Sequence, residues 1–447
     1  MKIPEKAPDW QNALTSSLEK AFKISSDKKL SQQIKKANTI YLYWDKLKYM
    51  PLPDYVTPEE AWAYIKFVRT SSQKHSPVKD KNGDQFCYWF PDSVLRDLSF
   101  IDKTAAGEIL VEEPSVASTT LKDKFLVSSI MEEAIASSQL EGAVTTRKKA
   151  KEMLRSGKKP INRAEQMIFN NYHAITWLKD VLNGPLTPEL IREIQRRVTH
   201  NTLDDPESSG KFQNENEERV FVQYQNTTIF TPPRASEIDQ RIDELCEFTN
   251  QPDSENEFNH PVIKGILLHF WLAYIHPFPD GNGRTARAIF YWYVLKNKYW
   301  LFEYLSISRI VLKAPAQYIR AYLYSEIDDL DMTYFITFHL KTIRLAIKEM
   351  KRYIHQKQMD MVKYRNLDLV SSRLNLRQSA LMRHALENPG SYYTIKKHQN
   401  LYRVVYQTAR ADLLSLERLG LLVRKKIAHQ FCFYPAAKIY DKLKTII

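Results

Sequence analysis

The residues best able to do chemistry lie in one run, His276-Pro277-Phe278-Pro279-Asp280-Gly281-Asn282-Gly283-Arg284, continuing to Arg287. Glycine is scarce in this chain, eleven in 447 residues, so two of them flanking Asn282 carry information. Glycine admits positive φ and close backbone approach, so Asp-Gly-Asn-Gly can turn its successive N–H groups into one concavity that receives an anion. The residues that follow begin a helix, whose N-terminus adds unpaired donors and the positive end of a dipole. The expected guest is a phosphate. Arg284 and Arg287, three apart on a helix, fall on one side and can grip further oxygens, which fits a di- or triphosphate. Asp280 beside an anion site is unfavourable unless a cation sits between, and a magnesium ion bridging phosphate oxygens is the usual remedy. His276, ending the preceding apolar helix, can act as a general base near neutral pH.

The elements that must position this run are mostly helices. Thr57-Pro58-Glu59-Glu60 predicts an N-cap, a first-turn proline and a capping-box glutamate, and Thr187-Pro188-Glu189 opens a helix in the same way. Strand-like alternation is confined to one place, 219–224 with 228–231, which predicts a single hairpin closed by Pro232-Pro233. An amphipathic helix is expected from about 121 to Gly142, a natural C-terminal cap. A second, long one is expected over about 332–364, followed by a hinge at 366–375. His260 and His269 read as a helix-end and a core residue, and Phe278 as a plug beneath the loop.

Composition limits the alternatives. The chain is long enough for two or three domains, and 43% apolar with 12% aromatic residues is ordinary for folded proteins. The apolar run 265–275 is too short to span a bilayer, no leader-like segment stands at the start, and three cysteines without C-x-x-C spacing argue against a disulfide framework. A cytoplasmic protein with no membrane association is expected. Of the net charge of +13, about ten units fall in 373–447, with fourteen Lys/Arg against four acids, so the basic character belongs to the C-terminus.

The run from His276 to Arg287 resembles the signature loop of Fic-domain proteins, H-x-F-x-[D/E]-G-N-G-R-x-x-R, with every specified position filled. The resemblance implies an all-helical core over about 121–365 and a protein adenylyltransferase, an enzyme that moves AMP from ATP to a Tyr, Thr or Ser hydroxyl of another protein and of itself. In it, His276 would deprotonate the hydroxyl, Asp280 would hold magnesium, and Gly281, Asn282, Gly283 and Arg284 would stabilise the phosphates with Arg287. The 219–231 hairpin would be a flap that docks the acceptor protein by strand addition, and adenine contacts would be sought in 313–318. Gly283 stands where the Doc phosphotransferases carry lysine, which disfavours that chemistry. A de-AMPylase would use the same residues.

Glu141, in Ser137-Ser138-Gln139-Leu140-Glu141-Gly142, is expected at a helix C-terminus, where the dipole disfavours an anion, so a cationic partner is needed. The family resemblance implies that this segment is an inhibitory helix whose Glu141 pairs with Arg287 and blocks the γ-phosphate position. The C-terminal unit, 373–447, looks like a winged helix-turn-helix, with Arg403, Gln407 and Arg410 on its second helix and Arg424-Lys425-Lys426 in the wing. DNA is a candidate partner, against a plain interaction or dimerisation module. The expectation is therefore a mainly α fold: an N-terminal helical region (1–120), a Fic core with a small hairpin, and the C-terminal unit. A monomer and a homo-oligomer are both compatible with it.

Overall fold

The computed structural model describes residues 3–15, 23–106, 119–217, 219–224, 227–252, 258–370, 374–387, 390–402, 404–427, 430–437 and 439. Within it the chain divides into two compact units, Met1–Lys348 and Glu349–Ile447. The division falls inside the long helix, Thr333–Val370, which extends past the expected end at 364, and the N-terminal residues belong to the first unit rather than standing apart.

Two helices form the centre of the first unit. In Pro261–Ile275 every residue except Pro261 and Ala273 is buried, as expected of a helix that is apolar all round. It packs against Asn282–Lys296, and Gly265 lets the two backbones close in, since a Cβ there would lie 3.1 Å from Val294 and 3.3 Å from Phe290. The helix Thr119–Leu140 differs from its expected amphipathic form. Ser129 to Ser138 are buried without a break, because helices Arg163–Trp177 and Ile307–Leu312 also pack on it. Its buried acids are compensated: Glu132 pairs with Arg147 and Lys151, and Glu133 accepts from the Ser308 backbone N–H and the Ser306 and Ser308 hydroxyls.

Local signals read from the sequence form as expected. Thr57 and Glu60 make a reciprocal capping box at Pro58–Thr70, and Thr187 caps Pro188–Thr199 through the Leu190 N–H. The N-terminal helices are tied to the first unit by buried charges: Lys66 pairs with Asp328 at 2.8 Å, and Arg69 donates to Asn38, Tyr334 and the Leu42 carbonyl.

The expectation of a single hairpin needs correcting. Lys74–Lys79 and Gln85–Tyr88 pair antiparallel, turned by Asp80, which accepts from the Asn82 and Asp84 N–H groups, and by Gly83 at φ 93°. The Asn82-Gly83 pair is a strong hairpin signal. Within 219–231 the first strand is shorter than expected, Val222–Tyr224, and pairs with Thr227–Phe230, which keeps the expected length but begins one residue earlier, with an irregularity between Val222 and Gln223.

The second unit has its own core of Leu381, Met382, Leu413, Leu416, Leu421 and Phe433. Helices Leu376–Glu387, Ile395–Tyr402 and Tyr406–Arg418 precede a regular hairpin, Leu422–Ile427 with Gln430–Pro435, and Tyr393 bridges to Phe433. Asp412 is buried, accepting from Asn375 and Arg377 and facing His398. Arg403 lies outside the described residues.

Candidate active site

The central helix ends at His276, whose N–H still closes on the Leu272 carbonyl while its backbone turns left-handed at φ 51° and ψ 54°. A non-glycine residue in that region is held there by its surroundings. The holding groups are long-range. Arg219 donates to the carbonyls of Ile275 and Pro233 and to Gln213, and Gln213 donates its backbone N–H to the Pro277 carbonyl. Burial pushes the His276 imidazole down to about 4, with Arg219 adding to the shift and the Ala273 carbonyl opposing it. The ring is therefore neutral at pH 7 and able to take a proton.

Phe278 is fully buried against Phe212, fixing the loop floor. Asn282 staples the loop, accepting from the Phe278 N–H at 2.9 Å and donating to its carbonyl at 2.7 Å. Gly281 sits at φ 86°, where a Cβ would lie 2.6 Å from the Thr199 methyl, so both conformation and space require glycine. It caps the helix Asn282–Lys296, whose first internal backbone bond runs from Thr285 to Gly281. Helix geometry leaves the N–H groups of Asn282, Gly283 and Arg284 without an intrahelical acceptor.

Glu141 stands at this point. It follows the last residue of Thr119–Leu140 directly, and its Oε1 is 2.8 Å from Arg287 Nη2. A Cβ on Gly283 would overlap Glu141 Oε1, so the carboxylate rests against the helix start itself. Arg287 also donates to the Ser137 hydroxyl at 2.8 Å and carbonyl at 3.0 Å. Burial disfavours its charge, but Glu141 outweighs that and leaves the guanidinium more firmly protonated than usual.

The two arginines do not act alike in this arrangement. Arg284 turns inward, fully buried, donating to the Val198 carbonyl at 2.6 Å and to Asp280 at 3.2 Å, and burial lowers its pKa. Asp280 also faces Arg163 at 3.7 Å, and Gln195 donates to its carbonyl. A metal cage of protein groups is absent among the described residues, where no three His, Cys, Asp or Glu side chains converge. One partly exposed carboxylate beside an anion site suits a magnesium ion that arrives on phosphates, since magnesium keeps few protein ligands.

The candidate residues of the sequence thus converge: His276, Asp280, Gly281, Asn282, Gly283, Arg284, Arg287 and Glu141 line one site. Gln195, Gln213, Arg219 and Arg163, which also shape it, carried no local signal. The Tyr318 hydroxyl, in the segment expected near adenine, bonds with His269 and Tyr322. His269 is a core residue, and His260 caps its helix and meets Asp102.

The sequence pattern of the Fic/DOC family matches residues 185–294, a stretch holding the hairpin and the whole loop. The chain carries a Fic/DOC-family domain. Over 104 residues it is 33% identical to a protein adenylyltransferase Fic of Nematostella vectensis, covering 23% of this chain and 22% of that protein. Over 116 residues it is 28% identical to the protein adenylyltransferase and cysteine protease IbpA of Histophilus somni, covering 25% of this chain and 2% of that protein. The chain thus spans about a fifth or less of the length of these curated relatives. A crystal structure of a Fic family protein from Desulfovibrio desulfuricans G20 is similar with a TM-score of 0.50 at 17% identity, over 77% of this chain and 95% of that one, a likeness of fold. Glu141 and Arg163 lie outside the 185–294 match. Among the described residues no helix is long and apolar enough to cross a membrane.

Proposed function

We propose that the chain transfers AMP from ATP to a hydroxyl of a protein, and that Glu141 restrains it. The observation that carries this reading is the carboxylate of Glu141 resting against Gly283 and paired with Arg287. An anion of the chain itself occupies the place where helix donors and a buried guanidinium converge, which is where a nucleotide phosphate would compete for them.

In the transfer, neutral His276 takes the proton of the acceptor hydroxyl, whose oxygen bonds to the α-phosphorus. The bond from that phosphorus to the bridging oxygen breaks, and pyrophosphate leaves. The N–H groups of Asn282, Gly283 and Arg284 meet the charge gathering on phosphate oxygens, an effect strongest where donors are already fixed in place. Arg284, tied to Val198 and Asp280, holds the loop in shape, and Arg287 is released to the triphosphate when Glu141 withdraws. Asp280 would hold a magnesium ion, which supplies charge neutralisation on the phosphates. The edge of the 219–231 hairpin would receive an extended segment of the acceptor. His276→Ala should lose transfer while nucleotide binding persists, and undiminished labelling would remove His276 from this role.

A second reading concerns 373–447, whose element order supports a winged helix-turn-helix. The two acids on the helix Tyr406–Arg418 are internally satisfied: Asp412 is buried among Arg377, Asn375 and His398, and Glu417 lies 3.2 Å from Arg424. Gln407, Arg410, Lys425 and Lys426 remain exposed. Duplex affinity falling steeply with salt, with a shallower slope in Lys425→Gln/Lys426→Gln, would support a DNA-binding role, and salt-insensitive or absent binding would refute it.

A further inference from the structure

The helix Arg147–Ser156, which follows the link after Glu141, carries a charge that the transfer chemistry does not use. Residues 147–163 hold eight Lys/Arg and one acid, Glu152, apart from the basic C-terminus. The helix opens with Arg147, Lys148 and Lys149 and has no acid in its first turn, so cations stand at the positive end of its dipole, where an anion is favoured. Part of this charge is matched inside the unit: Arg147 and Lys151 pair with Glu132, and Lys149 lies 2.9 Å from Glu165. Lys148, Arg155, Lys158 and Lys159 are exposed and have no ion pair among the described residues. Lys148 and Arg155, seven residues apart, fall on one face of the helix, about 10 Å apart along its axis.

Two aliphatic side chains frame the first turn of this helix, Val144 at 89% and Ile161 at 78% exposure. The buried Glu165 carboxylate meets Lys149 with one oxygen and accepts from the Ile161 N–H at 3.1 Å with the other, which brings Ile161 beside the helix start. Val144 stands two residues before Thr146, whose hydroxyl caps the helix through the Lys149 N–H. Arg163, two residues past Ile161, lies 3.7 Å from the Asp280 carboxylate, so the cluster borders the catalytic loop. The apolar face of the helix is already taken, Ala150 and Met153 packing with Ile135, Met167 and Ile168, and is not available to enter a bilayer. Residues 141–163 contain no aromatic side chain on which a base could stack, so cations mixed with aliphatics suit an acidic protein chain better than a single-stranded nucleic acid.

We propose that Val144, Lys148, Arg155, Lys158, Lys159 and Ile161 form a docking surface for an acidic segment of the acceptor protein that also carries aliphatic side chains. The acceptor is the occupant because Arg163 joins this surface to the rim of the loop that would transfer AMP. The proposal rests on that transfer reading, whereas its binding test does not. A helix of 10 residues is about 15 Å long, which an extended chain covers in about five residues, so the segment needs about that length. Complementary charge would hold the acceptor without touching the reacting atoms, and so acts on KM rather than on kcat.

The test uses the full chain and a short fluorescent peptide of Glu-Glu-Leu repeats, with controls in which glutamine replaces every glutamate or serine every leucine. Anisotropy should give about tenfold tighter binding of the acidic peptide than of its glutamine counterpart, equivalent to about 1.4 kcal/mol, with the serine control in between. Lys148→Glu/Arg155→Glu should bring the ratio to about one, and Lys158→Gln/Lys159→Gln, in the turn after the helix, should lower it. Lys425→Gln/Lys426→Gln should leave it unchanged, with thermal unfolding checking that each variant folds. Equal binding of the acidic and glutamine peptides, including no measurable binding of either, or a preference that survives both substitutions at this surface, would overturn it. So would tighter binding of a DNA duplex or of phosphatidylserine vesicles that the same substitutions remove. Joining the acidic peptide to one that bears a tyrosine should lower KM for AMP transfer about tenfold in the wild-type chain and not in Lys148→Glu/Arg155→Glu. Intact binding with KM unchanged would overturn the acceptor as the occupant, and intact binding without any transfer would refute the activity and leave the surface standing.

Discussion

Replacing Glu141 with glycine should raise the initial rate of AMP transfer about 10- to 30-fold, a figure that follows from the contact it removes. The Arg287–Glu141 pair is short, 2.8 Å, and its side chains are 7% and 27% exposed, so solvent screens it only in part. A charge-assisted hydrogen bond of this kind contributes on the order of 1.5–2 kcal/mol to the blocked arrangement, and each 1.4 kcal/mol is a tenfold change in population. The cost to the fold should be modest, because Arg287 keeps the Ser137 hydroxyl and carbonyl as acceptors and is not left as an orphaned buried charge. Glu141→Gln, which keeps the shape but not the charge, should fall between wild type and glycine. Arg287→Ala should be slow, since it removes the group that Glu141 restrains. The assay is incorporation of α-labelled AMP into the protein itself and into a lysate at equal ATP, with nucleotide binding and thermal unfolding measured alongside. A Glu141→Gly variant that is folded, binds ATP and is no faster than wild type would refute the reasoning and leave 137–142 as a capped helix end.

Gly283→Ala should lower the unfolding temperature in wild type, because the new methyl overlaps Glu141, and much less so in Glu141→Gly; equal effects in both backgrounds would dissociate Gly283 from Glu141. The acid limb of kcat/KM attributable to His276 should lie near pH 4 to 5, because its folded pKa is depressed to about 4; a limb at pH 6.5 would contradict the burial that causes the shift. By linkage the same depressed value stabilises the fold above about pH 6.5, and that contribution is lost as pH falls from 6.5 toward 4, which urea unfolding across that range would read. Truncation after Asn366 should leave the first unit folded with transfer intact, since the second unit has its own core; loss of cooperative unfolding would place the two units in one folding unit.

What the sequence disclosed was local chemistry. The loop from His276 to Arg287 was legible because glycines, an acid and two arginines fall within a few residues of one another. Glu141 was legible as an anion needing a partner, because a carboxylate after a helix C-terminus opposes the dipole. The inward turn of Arg284 was not, since its acceptor is the Val198 carbonyl on another helix. Gln195, Gln213 and Arg219 were hidden for the same reason: each acts through a backbone group far along the chain. The Lys74–Lys79 hairpin carried its own signal in Asn82-Gly83, with weak alternation on either side to support it. Burial of Ser129 to Ser138 on all sides depends on which helices surround them, which one helix's periodicity does not encode.

Incubation of the Glu141→Gly chain with magnesium and ATP labelled at either the α- or the γ-phosphate tests the central claim most directly. Label should stay with protein from the α-position alone, and His276→Ala in the same background should abolish it. Retention from the γ-position alone would mean phosphoryl transfer, and retention from neither would mean that the site does not move AMP to a protein hydroxyl.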